Sequence, residues 1–135
     1  MIKIKLYETK SQGGCGKIVG EVDYLGSFRV DPLNLFDECA EYVNSLLKAG
    51  CLTKNQFLKY ANGKTRYAWL VSNPVKYSKP KELPNGIKAP QSWRYYKGEV
   101  ILAIHKEWNE KILSGEKTVE FRSNHPSVRK LLCTL

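Results

Sequence analysis

The stretch from Ile101 to Arg122, ILAIHKEWNEKILSGEKTVEFR, constrains the fold more than any other part of the chain. It reads as a strand, an amphipathic helix, a glycine stop and a second strand. Over Lys106 to Leu113 the apolar residues Trp108, Ile112 and Leu113 recur at helical spacing, and Gly115 falls where a left-handed residue ends a helix. The run that follows alternates. Val119 and Phe121 share one face and Thr118, Glu120 and Arg122 the other, as the two-residue period of a strand requires. The charged end, EKTVEFR, is the first place to look for function.

With 135 residues the chain has enough length for one domain with a core and too little for two of ordinary size, so residues 1–135 are expected to form a single domain. No run of about eighteen apolar residues occurs, and the start, MIKIKLYETK, lacks the apolar stretch of a signal peptide. The expectation is a cytoplasmic protein without a membrane span. Cys15, Cys39, Cys51 and Cys133 show no C-x-x-C pairing, which favours reduced thiols over disulfides or a metal site.

The formal charge of +9 is unevenly spread. Between Tyr42 and Tyr96 the sole carboxylate is Glu82, against Lys48, Lys54, Lys59, Lys64, Arg66, Lys76, Lys79, Lys81, Lys88 and Arg94. Such a field favours phosphate-bearing partners, because release of condensed counterions drives association with nucleic acids. Lysine-rich surfaces also serve solubility alone, so charge by itself does not decide the matter.

Ile2, Ile4 and Leu6 alternate with Lys3 and Lys5, which points to a half-exposed first strand, and Lys17 to Tyr24 opens a second. Asp31 as N-cap and Pro32 in the first turn begin a helix whose buried stripe is Leu33, Phe36, Ala40, Val43 and Leu47 and which ends at Gly50. Thr53 caps a shorter helix through Tyr60, with Phe57 and Leu58 expected to face inward, and Asn62 and Gly63 turn the chain. Tyr67 to Ser72, YAWLVS, is the most strand-like run. Pro74, Pro80, Pro84 and Pro90 then suggest an extended edge loop rather than a central strand.

Ser114 to Arg122, SGEKTVEFR, resembles the opening unit of the ASCH family, small PUA-like barrels usually taken to bind RNA or nucleotides. Lys5 to Val22, KLYETKSQGGCGKIVGEV, is similar to that family's middle strands, and Ala89 to Tyr96, APQSWRYY, to its closing segment. In the family the EKTxEFR unit comes first. The resemblance therefore implies a circular permutation, with residues 99–122 standing for the usual N-terminal unit and Lys97, Gly98 and Glu99 joining the usual end to the usual start. New termini are tolerated where they fall in an exposed loop. Two alternatives stay open: a fragment spanning two tandem modules, and a domain-swapped homodimer completed by a neighbouring subunit. The tail SNHPSVRKLLCTL aligns with nothing in the family. The expected fold class is α+β, a PUA-like small β-barrel of about six strands with two to three helices.

The first candidate site is Lys117, Glu120 and Arg122. Lys117 is expected at the mouth of the strand. It and Arg122 would meet phosphate, with Glu120 accepting from an exocyclic amine or a ribose hydroxyl. The bland alternative is a salt-bridge set on a solvated face. The second candidate runs from Gln91 to Tyr96, where Ser92, Trp93 and Arg94 combine stacking, hydrogen bonding and charge; Trp93 reads equally well as core. The main expectation is RNA or nucleotide binding, with no cofactor and no metal, in a cleft lined by Lys117, Glu120, Arg122, Ser92 and Trp93, with Arg94 beside it. The resemblance also implies an alternative, because some small bacterial relatives are acetylcytidine amidohydrolases in which a turn lysine activates a threonine along the strand. That lysine carries over to Lys117, but the nucleophile's position holds Glu120, which leaves Thr118 as the substitute. Whether the chain is an enzyme stays open on sequence alone. His105 and His125 read as surface or packing residues, and GGCGK, Gly13 to Lys17, lacks the spacing of a phosphate-binding P-loop.

Overall fold

The computed structural model describes residues 2–32 and 40–133. In the first strand, β1 (Ile2–Glu8), Ile4 and Leu6 are fully buried while Lys3 and Lys5 reach the acidic side chains of β2 (Lys17–Val30). Helices α1 (Ala40–Ala49) and α2 (Lys54–Ala61) lead into β3 (Arg66–Lys81), followed by β4 (Trp93–Tyr96) and β5 (Glu99–Ile104). The chain closes with α3 (Lys106–Leu113), β6 (Val119–Arg122) and α4 (Val128–Cys133). The six strands form one sheet in the order β4-β5-β1-β2-β3-β6, curled into a half-barrel. Only β1 and β5 run parallel; every other neighbouring pair is antiparallel. This is the expected α+β architecture, consistent with a PUA-like small barrel. Among the described residues four helices stand where two or three were expected, because part of the unassigned tail folds as α4.

The C-terminal strands find partners within the same chain, β5 beside β1 and β6 beside β3. β1 and β6 are not neighbours, since β2 and β3 lie between them. Alternation sorts the faces of the sheet. Ile4, Leu6, Val22, Trp69, Val100, Leu102 and Ile104 line the inner side, against Ile112 of α3 and Leu131 of α4. On the outer side Ala68, Val119 and Phe121 meet Val43, Leu46, Leu47 and Phe57 of α1 and α2. The polar face of β6 is therefore the inward one.

Three expectations need correction or restriction. β3 runs straight through Pro74 and Pro80, where an edge loop was expected. Its pairing with β2 shifts register between Glu21 and Asp23 and again between Ile18 and Gly20. Asn73 and Pro74 fall in the first irregularity and Pro80 in the second, so neither proline interrupts a regular ladder. Leu58 is exposed rather than inward, because Phe57 and Ala61, one turn apart, take the buried face of α2. The expected helix positions Leu33 and Phe36 lie outside the described residues, as does Cys39.

A polar cluster ties β1, β2 and β3 on the other face. The Tyr77 hydroxyl and the Lys5 ammonium, both bonded to Glu21, hold its carboxyl below the usual range, and the Asn73 amide and Lys3 do the same for Asp23. Lowered folded-state values contribute stability above the unfolded carboxyl range, and that contribution is lost as pH falls through the folded values. The Glu21→Gln/Asp23→Asn double variant is expected to melt below the wild type at neutral pH, with the gap shrinking once pH drops below about 4. Thermal melts across pH check this; a gap that stays constant down to low pH would contradict it.

Candidate functional site

Gly115 has φ +84 and its amide bonds Ile112 O, so the helix stop expected from the sequence is present. The chain then turns into Glu116 and Lys117, where the Thr118 amide bonds Ala49 O and the Lys117 amide bonds Lys111 O, fixing the entry to β6 against α1 and α3. Lys117 is not at an open mouth: it is 2% exposed. Its ammonium donates to Gly50 O, lies 3.4 Å from Glu120 Oε1 and sits over the Trp108 ring at 5.1 Å. Glu120 is itself buried. Its Oε2 accepts from Arg122 Nε at 3.0 Å and Nη2 at 2.6 Å. Arg122 reaches further, with Nη1 to Ser92 Oγ at 3.1 Å and Nη2 to Ala103 O at 3.0 Å.

Neither cation is therefore placed as the sequence suggested, as a charge waiting for phosphate. The inward face of β6 forces burial, and buried charges persist only when paired and hydrogen-bonded. Two cations around one carboxylate leave the network one net positive charge, spread over three side chains.

The network forms the floor of a cleft of about 500 Å³. Ala103 and Ile104 of β5, His105 and Trp108 at α3, Gln91 and Ser92 before β4, and Gln56 and Tyr60 of α2 line it. Gln56 and Tyr60 are positioned by the capping box at Thr53, in which the Gln56 amide receives Thr53 N–H and its own backbone N–H bonds Thr53 Oγ1. Tyr60 remains 41% exposed, with the Arg66 guanidinium over one face at 4.9 Å. Partial burial pushes its hydroxyl above the usual tyrosine range, with Arg122 and Arg66 opposing, so it stays a protonated donor at neutral pH. At the rim His105 Nδ1 lies 3.0 Å from Thr9 Oγ1 and 2.9 Å from Ser11 Oγ, which pins the ring.

Sequence reasoning missed Gln56 and Tyr60. Their signal was present, since they are four apart on a short helix and lie off the face taken by Phe57 and Ala61.

Ser92 belongs to this cleft, but Trp93 and Arg94 line a neighbouring groove with Tyr95, Asn124, His125 and Lys130. Trp93 is turned that way by edge-on packing on Trp69 at 5.3 Å and Tyr95 at 5.1 Å, and by its Nε1–H bond to Asn124 Oδ1 at 2.8 Å. It thus packs and walls the groove at once. Thr118, the substitute nucleophile, is exposed and does not line the cleft, because it precedes the regular pairing of β6. In the glycine loop the Cys15 amide bonds Glu8 Oε2, an orientation toward a carboxylate rather than an anionic ligand. Partial burial and the adjoining Glu8 raise the Cys15 thiol above its ordinary range, the opposite of activation. Cys15, Cys51 and Cys133 are free thiols, and no metal-binding group of three ligands occurs among the described residues.

Removing the shared carboxylate leaves both buried cations uncompensated. Glu120→Ala is expected to destabilise the protein by about 3–5 kcal/mol. Urea unfolding checks this; an unchanged midpoint would show that the network carries no such weight.

No curated protein and no solved structure matches the chain. The family model for the ASCH domain matches residues 102–133. The match takes in the second half of β5, all of α3 and β6, and α4, so it extends through the tail that the resemblance left unaligned. Lys117, Glu120 and Arg122 all lie inside it. Over that segment the chain is similar to the ASCH family, and the curled six-stranded sheet around it is consistent with a PUA-like small barrel.

Proposed function

We propose that this protein is an RNA- or nucleotide-binding domain that receives a nucleobase in the cleft above Lys117, Glu120 and Arg122. The observation that carries the reading is the saturation of that floor: its charges are already paired, so it suits a neutral polar ring better than a phosphate. Tyr60, part-exposed on the cleft with Arg66 over its ring, offers a stacking surface, and stacking of this kind contributes about 1–3 kcal/mol per base. The amide of Gln91 suits the edge of a base, with the Gln56 amino group as a further donor because its carbonyl is held by Thr53, and Ser92 suits a sugar hydroxyl. A cleft of about 500 Å³ falls in the range of small-ligand sites. The ASCH match supports the same class of ligand.

Hydrolysis of an acetylated nucleoside gains no support from the geometry, since Thr118 stands off the cleft and the Lys117 ammonium is committed to Gly50 O and Glu120. We also read residues 1–135 as one permuted domain acting in the cytoplasm. The pairing of β5 with β1 and of β6 with β3 supports closure within a single chain.

The test titrates uncharged ribonucleosides and their monophosphates into the wild type and into Tyr60→Ala and Gln91→Ala. Each variant is expected to lose about tenfold in affinity, the lower end of a stacking or paired-amide contribution. Thermal melts should stay close to the wild type. Folded variants with unaltered affinity would remove the base from this cleft.

A further inference from the structure

The cleft and the groove beside it meet at Ser92 and Ser123, which border both. Their electrostatics differ. In the cleft the two cations are bound to Glu120, whereas among the described residues no carboxylate lines the groove. Among those residues neither Arg94 nor Lys130 makes an ion pair, and the hydrogen bond of Arg94, from Nε to Tyr95 O, is a long one at 3.5 Å.

The groove is also built rather than incidental. Asn124 accepts from both Trp69 Nε1 and Trp93 Nε1, and the Ser127 amide bonds the Tyr95 hydroxyl at 2.7 Å. Leu131, buried in the inner core, anchors α4 and so holds Lys130 over the groove. Cations beside aromatic walls, with no competing carboxylate, are what a sugar-phosphate backbone requires.

We infer that the groove is the phosphodiester track of a single-stranded RNA, one base of which enters the cleft while the backbone crosses at Ser92 and Ser123 and runs past Arg94 and Lys130. This rests on the cleft reading above and narrows its ligand from a nucleotide to a strand. Single strands suit such a track because an unstacked base can turn into a pocket while its neighbours stay on the surface. The base is recognised in a cleft whose cations are both bound to Glu120, and the phosphates are held next door.

The experiment compares a labelled mixed-sequence hexaribonucleotide with uncharged ribonucleosides. The wild type should bind the hexamer more tightly than any nucleoside, with affinity falling linearly in log–log form as salt rises. Arg94→Ala/Lys130→Ala should reduce that slope by about 1.4, at about 0.7 for each single-strand phosphate that no longer meets a cation. Lys130 is exposed and Arg94 half-buried, and matching thermal melts confirm that the variant folds. A charge-reversed Arg94→Glu/Lys130→Glu protein should lose hexamer binding altogether. If nucleosides bind but the hexamer binds no better, or if the double alanine variant keeps the wild-type slope, the track is overturned and the cleft reading stands. If neither ligand binds at low salt, both readings fail.

Discussion

Between β6 and β4, the outer strands of the sheet, no ladder of backbone hydrogen bonds runs, and Arg122 supplies the link in its place. Its guanidinium donates to Ala103 O on β5 and to Ser92 Oγ just before β4, while Glu120 on its own strand holds it in position. Glu120 in turn faces Lys117, and Lys117 caps the carbonyl of Gly50 at the end of α1. One chain of hydrogen bonds and ion pairs thus links both ends of the curled sheet to the helical layer on its outside. Planar, multidentate donors make arginine suited to this task in a way that lysine is not.

The same network decides what the cleft can do. A floor of free cations would draw any phosphate or carboxylate. A floor whose cations are bound to a buried carboxylate instead presents directed hydrogen bonds and little unscreened charge, and leaves discrimination to the groups on the walls. Tyr60 and Gln56 come from α2, which Phe57 fastens to Phe121 of β6 with ring centroids 4.9 Å apart. The strand that carries the floor therefore also fixes the wall. Gly50 is part of this arrangement: a Cβ there would come within 2.8 Å of the Phe121 ring.

The unit from β5 to β6 was legible in the sequence because each element carries its own local signal: the helical spacing of Trp108 and Ile112, the stop at Gly115 and the alternation from Val119 to Arg122. The same alternation put Glu120 and Arg122 on one face, and Lys117 was picked out by its place at the turn before the strand. What alternation could not show was the curl of the sheet. Curling turned the polar face of β6 inward and buried Lys117 against Gly50 O and Glu120. The prolines of β3 misled for a related reason, since bulges that accommodate Pro74 and Pro80 depend on register with a distant strand. Trp93 and Arg94 were found by composition, but their separation from the triad arises from tertiary packing on Trp69 and Asn124.

The three tryptophans stand in three different places: Trp69 fully buried, Trp93 on the groove and Trp108 on the cleft. Indole N–H resonances followed by NMR during titration with an uncharged ribonucleoside test the central claim directly. Base binding above the Lys117–Glu120–Arg122 floor predicts a saturating shift of the Trp108 signal, with Trp69 nearly still. Saturation with Trp108 unmoved, or a shift confined to Trp93, would place the base outside the cleft and contradict the account.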